Sequence, residues 1–200
     1  LTMSGSAAVG STVQLSIATR SSAGDVDATT GSWSDTGSTC TADSSTGAWS
    51  CTTTALAAGK YKIRATSSTT LDGVTDTQTS ATALAFDVAG TATKLSVTTQ
   101  PVGAGSGAAF ATQPVVKVLD ANDIVVESST ASITVSASAG TLGGTTTLSA
   151  TNGVATFTDL TFAGTAATNY TLSFASTGLT SATSSNFTVS VGAATQLVLT

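Results

Sequence analysis

The chain has 200 residues, a net charge of −5 and no histidine, and Thr, Ser, Ala and Gly fill 124 of its positions. Helical proteins need Leu, Glu, Lys, Gln and Arg for their helix faces, proton-moving enzymes draw on His, Glu, Lys or clustered Cys, and nucleic-acid binders carry a basic excess. A charged content of 8%, with Glu127 the one glutamate, speaks against all three and leaves an extracellular β-rich structural or binding module.

Period-2 alternation of apolar residues marks the strands in chain order. Val13, Leu15 and Ile17 share a face, then Tyr61, Ile63 and Ala65, then Leu84, Phe86 and Val88. Further on come Leu95/Val97, Val116/Val118, Ile133/Val135, Tyr170/Leu172/Phe174 and Phe187/Val189/Val191. The positions between are mostly Thr and Ser, and β-branched Thr favours the pleated strand while keeping its solvent face polar. With only two prolines, this alternation argues against a disordered Ser/Thr-rich stalk. Asp120-Ala-Asn-Asp123 and Asn152-Gly153 read as hairpin turns. Large core residues are few, so the cores should be thin. No run of about 18 apolar residues occurs, so no membrane-spanning helix is expected, and no signal peptide is visible. The chain opens inside an apparent strand, as an excised piece of a longer protein would.

An internal recurrence sets the expected domain layout. Gly90, Thr93, Leu95 and Val97 align with Gly192, Thr195, Leu197 and Leu199. A period near 100 residues matches one β-sandwich domain rather than a solenoid repeat. The expectation is all-β: two tandem Ig-like antiparallel β-sandwich domains, 1–89 and 90–191, joined end to end, with 192–200 as the first strand of a further repeat. The short Ala/Gly/Thr junction before Lys94 should limit swivelling and give a semi-rigid rod.

The second domain's motifs run Pro114-Val-Val-Lys-Val-Leu-Asp120-Ala-Asn-Asp-Ile-Val-Val126, Ala150-Thr-Asn-Gly-Val-Ala-Thr-Phe157 and Asn169-Tyr-Thr-Leu-Ser-Phe174. This resembles the bacterial Ig-like repeats of intimin/invasin type found in large surface proteins, with Asp123 where that family often has Gly. The first domain, through Met3-Ser-Gly5-Ser-Ala7, Gly47-Ala-Trp-Ser-Cys51 and Ala55-Leu-Ala-Ala-Gly59-Lys-Tyr61, is similar to a second Ig-like type of biofilm and adhesin proteins. The resemblance implies a stalk that holds a distal binding domain away from the cell. It specifies architecture well and ligand poorly.

Cys40 and Cys51, the two cysteines, flank a turn-like decapeptide. A disulfide fits an exported protein, whereas two Cys without His cannot complete a structural zinc site. Trp49 is expected in the core beside this bridge, as in Ig-like folds. Trp33 lies in a stretch without other large apolar residues and is the candidate for stacking on a sugar. Lys60, Lys62 and Arg64 alternate with Tyr61 and Ile63, so they are expected on the outward face of one strand. There they would discourage edge-to-edge pairing or form a patch for an anionic glycan.

Asp25, Asp27, Asp72, Asp76, Asp87, Asp120 and Asp123 are aspartates of strand ends and turns. Asp87, Asp120 and Asp123 among them are weak calcium candidates, without EF-hand spacing; no other metal or cofactor is expected. Lys117, Glu127 and Asn186 offer the parts of an autocatalytic Lys–Asn bond, but alternation turns Lys117 outward. The sequons at Asn169 and Asn186 carry no information, because chance alone yields such matches in a chain this rich in Ser and Thr.

The expected function is non-enzymatic: a stalk module of a bacterial cell-surface adhesin, extracellular, contacting neighbouring Ig-like domains of the same chain. One alternative is a self-assembling subunit of a surface layer or filament; another is a carbohydrate-binding module for host or cell-surface glycans. No nucleic-acid partner and no membrane span in this segment are expected.

Overall fold

A computed structural model describes residues 1–20, 25–28, 31–80, 82–103 and 105–191. The strand expected over 192–200 lies outside them. The described residues form seventeen strands and no helix, and every ladder between named strands is antiparallel. The chain divides into two compact units, Leu1–Val88 and Ala89–Thr200.

The first unit contains β1 (Thr2–Ser6), β2 (Thr12–Thr19), β3 (Ser34–Thr41), β4 (Ala48–Thr52), β5 (Gly59–Leu71), β6 (Val74–Thr79) and β7 (Leu84–Val88). Strands β1 and β4 form a two-stranded sheet. The other five form a sheet in the order β3-β2-β5, with β7 and β6 following one another along the far edge of β5. Val13, Leu15, Ala42, Trp49, Cys51 and Ile63 make the core, with Met3, Ala7, Cys40, Ala65 and Phe86 packed against it. Trp49 is thus a core residue, as expected, and Gly5 permits this: a Cβ there would lie 2.8 Å from the Trp49 ring.

Two features of this unit depart from simple alternation. The β2–β3 register shifts between Gln14 and Ser16, the extra residues lying on β3, while β2 keeps an unbroken register with β5. Val13, Leu15 and Ile17 share the core face, Ile17 opposite Ile63, but Ile17 is only half-buried, whereas Ser16 and Ala18 are buried on the opposite face. Leu84, expected inward, is 53% exposed. Two strands cannot cover the inner face of five, so apolar side chains at the sheet's far edge stay in water.

The second unit contains β8 (Lys94–Thr99), β9 (Ala108–Ala109), β10 (Val115–Leu119), β11 (Ser132–Ala137), β12 (Thr141–Gly143), β13 (Thr147–Ser149), β14 (Val154–Thr156), β15 (Thr161–Ala163), β16 (Leu172–Ala175) and β17 (Ala182–Thr183). They pair as β14-β10-β8, β13-β11-β16-β17 and β12-β15-β9. The alternating residues meet in one core that includes Leu95, Val116, Val118, Ile133, Val135, Leu172 and Phe174. At one end Phe110, Phe162, Tyr170 and Phe187 form an aromatic cluster with ring centroids 4.7 to 6.1 Å apart, a spacing that favours edge-to-face and offset contacts. The Tyr170 hydroxyl accepts from the Thr165 amide at 2.7 Å and donates to the Thr165 carbonyl at 3.2 Å, so the buried ring's polar tip is satisfied. Val191, the last of the expected inward set, is 78% exposed.

Both expected turns form, with one difference. Leu119 bridges Val125 across the Asp120–Asp123 turn. Asn152 (φ 50°) and Gly153 (φ 70°) make the tight turn whose sequence announces it. A Cβ at Gly153 would stand 2.5 Å from the Val126 carbonyl oxygen, so only Gly fits. The strands on either side of this turn do not continue as a hairpin, however. After one bridge, Thr151 to Val154, β13 joins β11 and β14 joins β10, in different sheets.

Candidate functional site

Three of the four candidate contact residues come together in the first unit, though not as alternation implied. Ser16, Ala18, Lys62 and Arg64 share the face of the large sheet opposite Ile63. Residues 25–28 and 31–33 lie over that face, and Ala28 is fully buried there. Lys62 is consequently 1% exposed, which corrects the expectation that it faces solvent. The face is the one alternation names; what periodicity could not show is that the chain folds back to cover it.

The charges beneath this cover are compensated by specific partners. Lys62 Nζ donates to the Asp25 carboxylate at 2.7 Å and to the Asp27 carbonyl at 3.1 Å. Arg64 Nη1 donates to the Ala28 carbonyl at 2.7 Å. The Trp33 ring, half-buried, has the Arg64 guanidinium 4.3 Å and the Lys62 ammonium 5.5 Å from its centroid. Both cations lie within cation–π range. Ser16 Oγ donates to Asp35 at 3.1 Å in the same row of the sheet. Trp33 therefore already stacks on protein cations, and Lys62 and Arg64 fasten a loop rather than line an outward patch. Lys60 stands apart from them, exposed on β5 opposite Asp87.

This arrangement predicts an asymmetric response to mutation. Removing one partner of a buried pair strands the other charge, whereas replacing both partners by apolar residues of similar volume can cost little. Asp25→Ala should destabilise the first unit by about 2 kcal/mol, less than a fully buried pair would, because the Asp27 carbonyl and Trp33 still compensate Lys62. Asp25→Leu combined with Lys62→Met, which removes both charges, should change stability by less than about 1 kcal/mol. Urea unfolding followed by Trp fluorescence, both tryptophans lying in this unit, measures the two directly.

The three calcium candidates each engage a protein group. Asp87 pairs with Arg20, and Asp123, at φ 62°, pairs with Lys94 at 2.7 Å. Asp120 is buried; it accepts from the amides of Gly90 (2.9 Å), Asn122 (2.8 Å) and Ile124 (2.9 Å). Burial pushes its carboxyl up, but the amides of Gly90, Ile124 and Asn122 outweigh this and hold it below the usual carboxylate range. Two exposed aspartates show the same effect. Asp43 is held far down by hydrogen bonds from Ser45 and Thr46, and Asp159 is lowered by the hydroxyl and amide of Thr145. Among the described residues no group of three or more His, Cys, Asp or Glu gathers into a metal-sized cluster. Lys117 is half-buried on the face opposite Val116 and Val118, while Glu127 and Asn186 are exposed.

Cys40 and Cys51 form a disulfide with a Cα–Cα distance of 5.6 Å. It is not a rung within a hairpin. Cys40 lies on β3 of the large sheet and Cys51 on β4 of the small one, so the bond joins the two sheets. Beside it is a pocket of about 210 Å³ that sequence reasoning missed, with Ala7, Val13, Trp49 and Ala65 as apolar walls and Gln78 and Ser80 among its polar ones. Only the two-strand size of the small sheet leaves it open, and no local signal announces that.

No family model and no curated protein matches the chain. Among solved structures it is similar to a β-glycosidase from Bacteroides vulgatus, at 16% identity and a TM-score of 0.45 over 89% of this chain and 21% of that one. A glycosyl hydrolase family 2 member from Bacteroides cellulosilyticus matches at 10% identity and a TM-score of 0.44, over 88% of this chain and 24% of that one. A β-glucuronidase from Parabacteroides merdae, with glycerol in its active site, matches at 16% identity and a TM-score of 0.38, over 90% and 21%. The chain thus spans between a fifth and a quarter of these enzymes' length, and scores this low assign it neither activity nor ligand.

Proposed function

We propose that the chain is a non-enzymatic structural module, a spacer segment of a bacterial cell-surface protein. The observation that carries this reading is the use made of charge. Arg20–Asp87, Lys62–Asp25 and Lys94–Asp123 tie loops or strand ends, and Asp43, Asp120 and Asp159 clasp turns. These groups hold the fold and do not converge on a cavity as acid, base or nucleophile would. The junction supports the same reading. Five residues separate β7 from β8. Of these, Gly90 donates to Asp120, and Thr93 donates to the Leu119 carbonyl and accepts from the Thr180 amide.

A spacer works through length and not through particular side chains. Exchanging residues 1–191 within the parent protein for an unrelated pair of β-sandwich domains of equal length should leave surface display and distal binding unchanged. Loss of either function in the exchanged protein, or turnover of a glycoside by the chain itself, would overturn the assignment. The carbohydrate-binding alternative has less support, since the Trp33 ring already stacks on Arg64.

A further inference from the structure

We propose that β6 is a self-association edge, and that two copies of this chain pair there as antiparallel neighbours to make one continuous sheet. The inference stands apart from the spacer reading. Among the described residues strand β6 pairs with β5 alone, all six of its residues are exposed, and its ladder with β5 runs without a register shift. Natural edges are blunted by Lys, Pro or bulges. The β6 sequence Val-Thr-Asp-Thr-Gln-Thr has none of these, and Asp76 is its one charge.

The geometry selects a single register. Asp72 (φ 49°) and Gly73 (φ 80°) form a two-residue turn, which makes Leu71 and Val74 a mutually hydrogen-bonded pair. Bonded and non-bonded pairs then alternate along the ladder, so Thr75, Thr77 and Thr79 turn their amide and carbonyl groups to the open edge. A two-fold axis through Thr77 uses all three. Thr77 pairs with Thr77 of the second copy, and Thr75 with its Thr79. The same register sets Asp76 beside Gln78 of the second copy, a neutral hydrogen-bonding neighbour. An axis through Asp76 would instead oppose two carboxylates and align fewer edge amides.

Side chains on the inner face of the sheet point to the same pairing. Leu71 and Val74 are 74% and 72% exposed, an apolar pair at the hairpin tip that its own unit leaves uncovered. With the axis at Thr77, Val74 of one copy stands opposite Ser80 of the other. Ser80 lines the pocket of about 210 Å³ walled by Ala7, Val13, Trp49 and Ala65. Its hydroxyl is buried without a partner. The exposed tip of each copy is thereby placed at the rim of the other's pocket, and the interface is isologous, as a closed two-fold dimer requires.

Sedimentation velocity on the 200-residue chain, from low micromolar to millimolar concentration, tests this. The expected result is a monomer–dimer equilibrium whose dissociation constant rises at least about tenfold in Thr77→Pro, which removes an edge amide, and stays near its original value in Thr77→Val. Near-UV circular dichroism confirms that Thr77→Pro is folded. A Val74→Cys/Ser80→Cys double variant should give an interchain disulfide on mild oxidation, because those positions face each other only in the dimer. A wild-type chain that stays monomeric throughout, a folded Thr77→Pro that dimerises undiminished, or a dimer that fails to cross-link would each overturn the proposal.

Discussion

Replacing Asp120 by Ala should cost the second unit about 3 to 4 kcal/mol. The carboxylate is 1% exposed and accepts three backbone amides, from Gly90, Asn122 and Ile124. Hydrogen bonds to an ionised group contribute about 1.5 to 3 kcal/mol each. The total is less than three times that, because the amides of the Asn122 turn and of Gly90 lie near the surface and can turn to water. The Ile124 amide, beside a buried side chain, cannot. Asp120→Asn keeps the shape and one acceptor oxygen and should cost roughly half as much. The pH dependence follows from the lowered pKa. A carboxyl held below its ordinary value of 3.8 stabilises the fold fully above that value, and the contribution is lost as pH falls through the native pKa. The second unit should therefore weaken steeply only below about pH 4, and Asp120→Asn should flatten that limb. Chemical unfolding followed by circular dichroism at a series of pH values reads both effects, with Trp fluorescence reporting the first unit separately.

Asp120 also shows where sequence reading stops. Its place in a turn between Val115–Leu119 and Ile124–Val126 is visible from composition and alternation alone. That its carboxylate reaches back thirty residues to the Gly90 amide is not, because the bond depends on how β8 and β10 pair. The same boundary runs through the first unit. Strict alternation finds Val13, Leu15 and Ile63, whose burial follows from the two-residue period of a strand. It names the face of Ile17, opposite Ile63, but not that the residue is only half-buried there, and it leaves Lys62 in solvent, because periodicity names a face and not what covers it. Strand β3, Ser-Asp-Thr-Gly-Ser-Thr-Cys-Thr, has no apolar alternation at all; it is held by its ladder with β2 and by Cys40. The cluster around Trp33 was half legible: the residue types stood out in the sequence, but the fact that they meet one another did not.

Reducing the Cys40–Cys51 bond should lower the stability of the first unit by about 3 kcal/mol, the loop-closure term for a ring of about a dozen residues. For a unit of this size that corresponds to a fall in Tm of about 10 to 20 °C, with the second unit unchanged. The position of the bond decides where the loss is felt. Among the described residues strands β1 and β4 pair only with each other, so their sheet has no ladder to the large one. It is held by the core contacts of Met3, Ala7, Trp49 and Cys51, by the Asp43 amide on the Ala48 carbonyl and by this covalent link. Reduction leaves both sulfurs in the core and so isolates the constraint from the packing. Cys51→Ala removes buried volume as well and should cost about 1 kcal/mol more. Trp49 sits on β4, so its fluorescence reports the departure of the small sheet itself. Superimposable melting curves with and without reductant would show that packing alone holds the two sheets together. A reduced protein whose Trp49 signal moves before the rest of the unit unfolds would place the weakest point of the fold at β1 and β4, where the bond now stands.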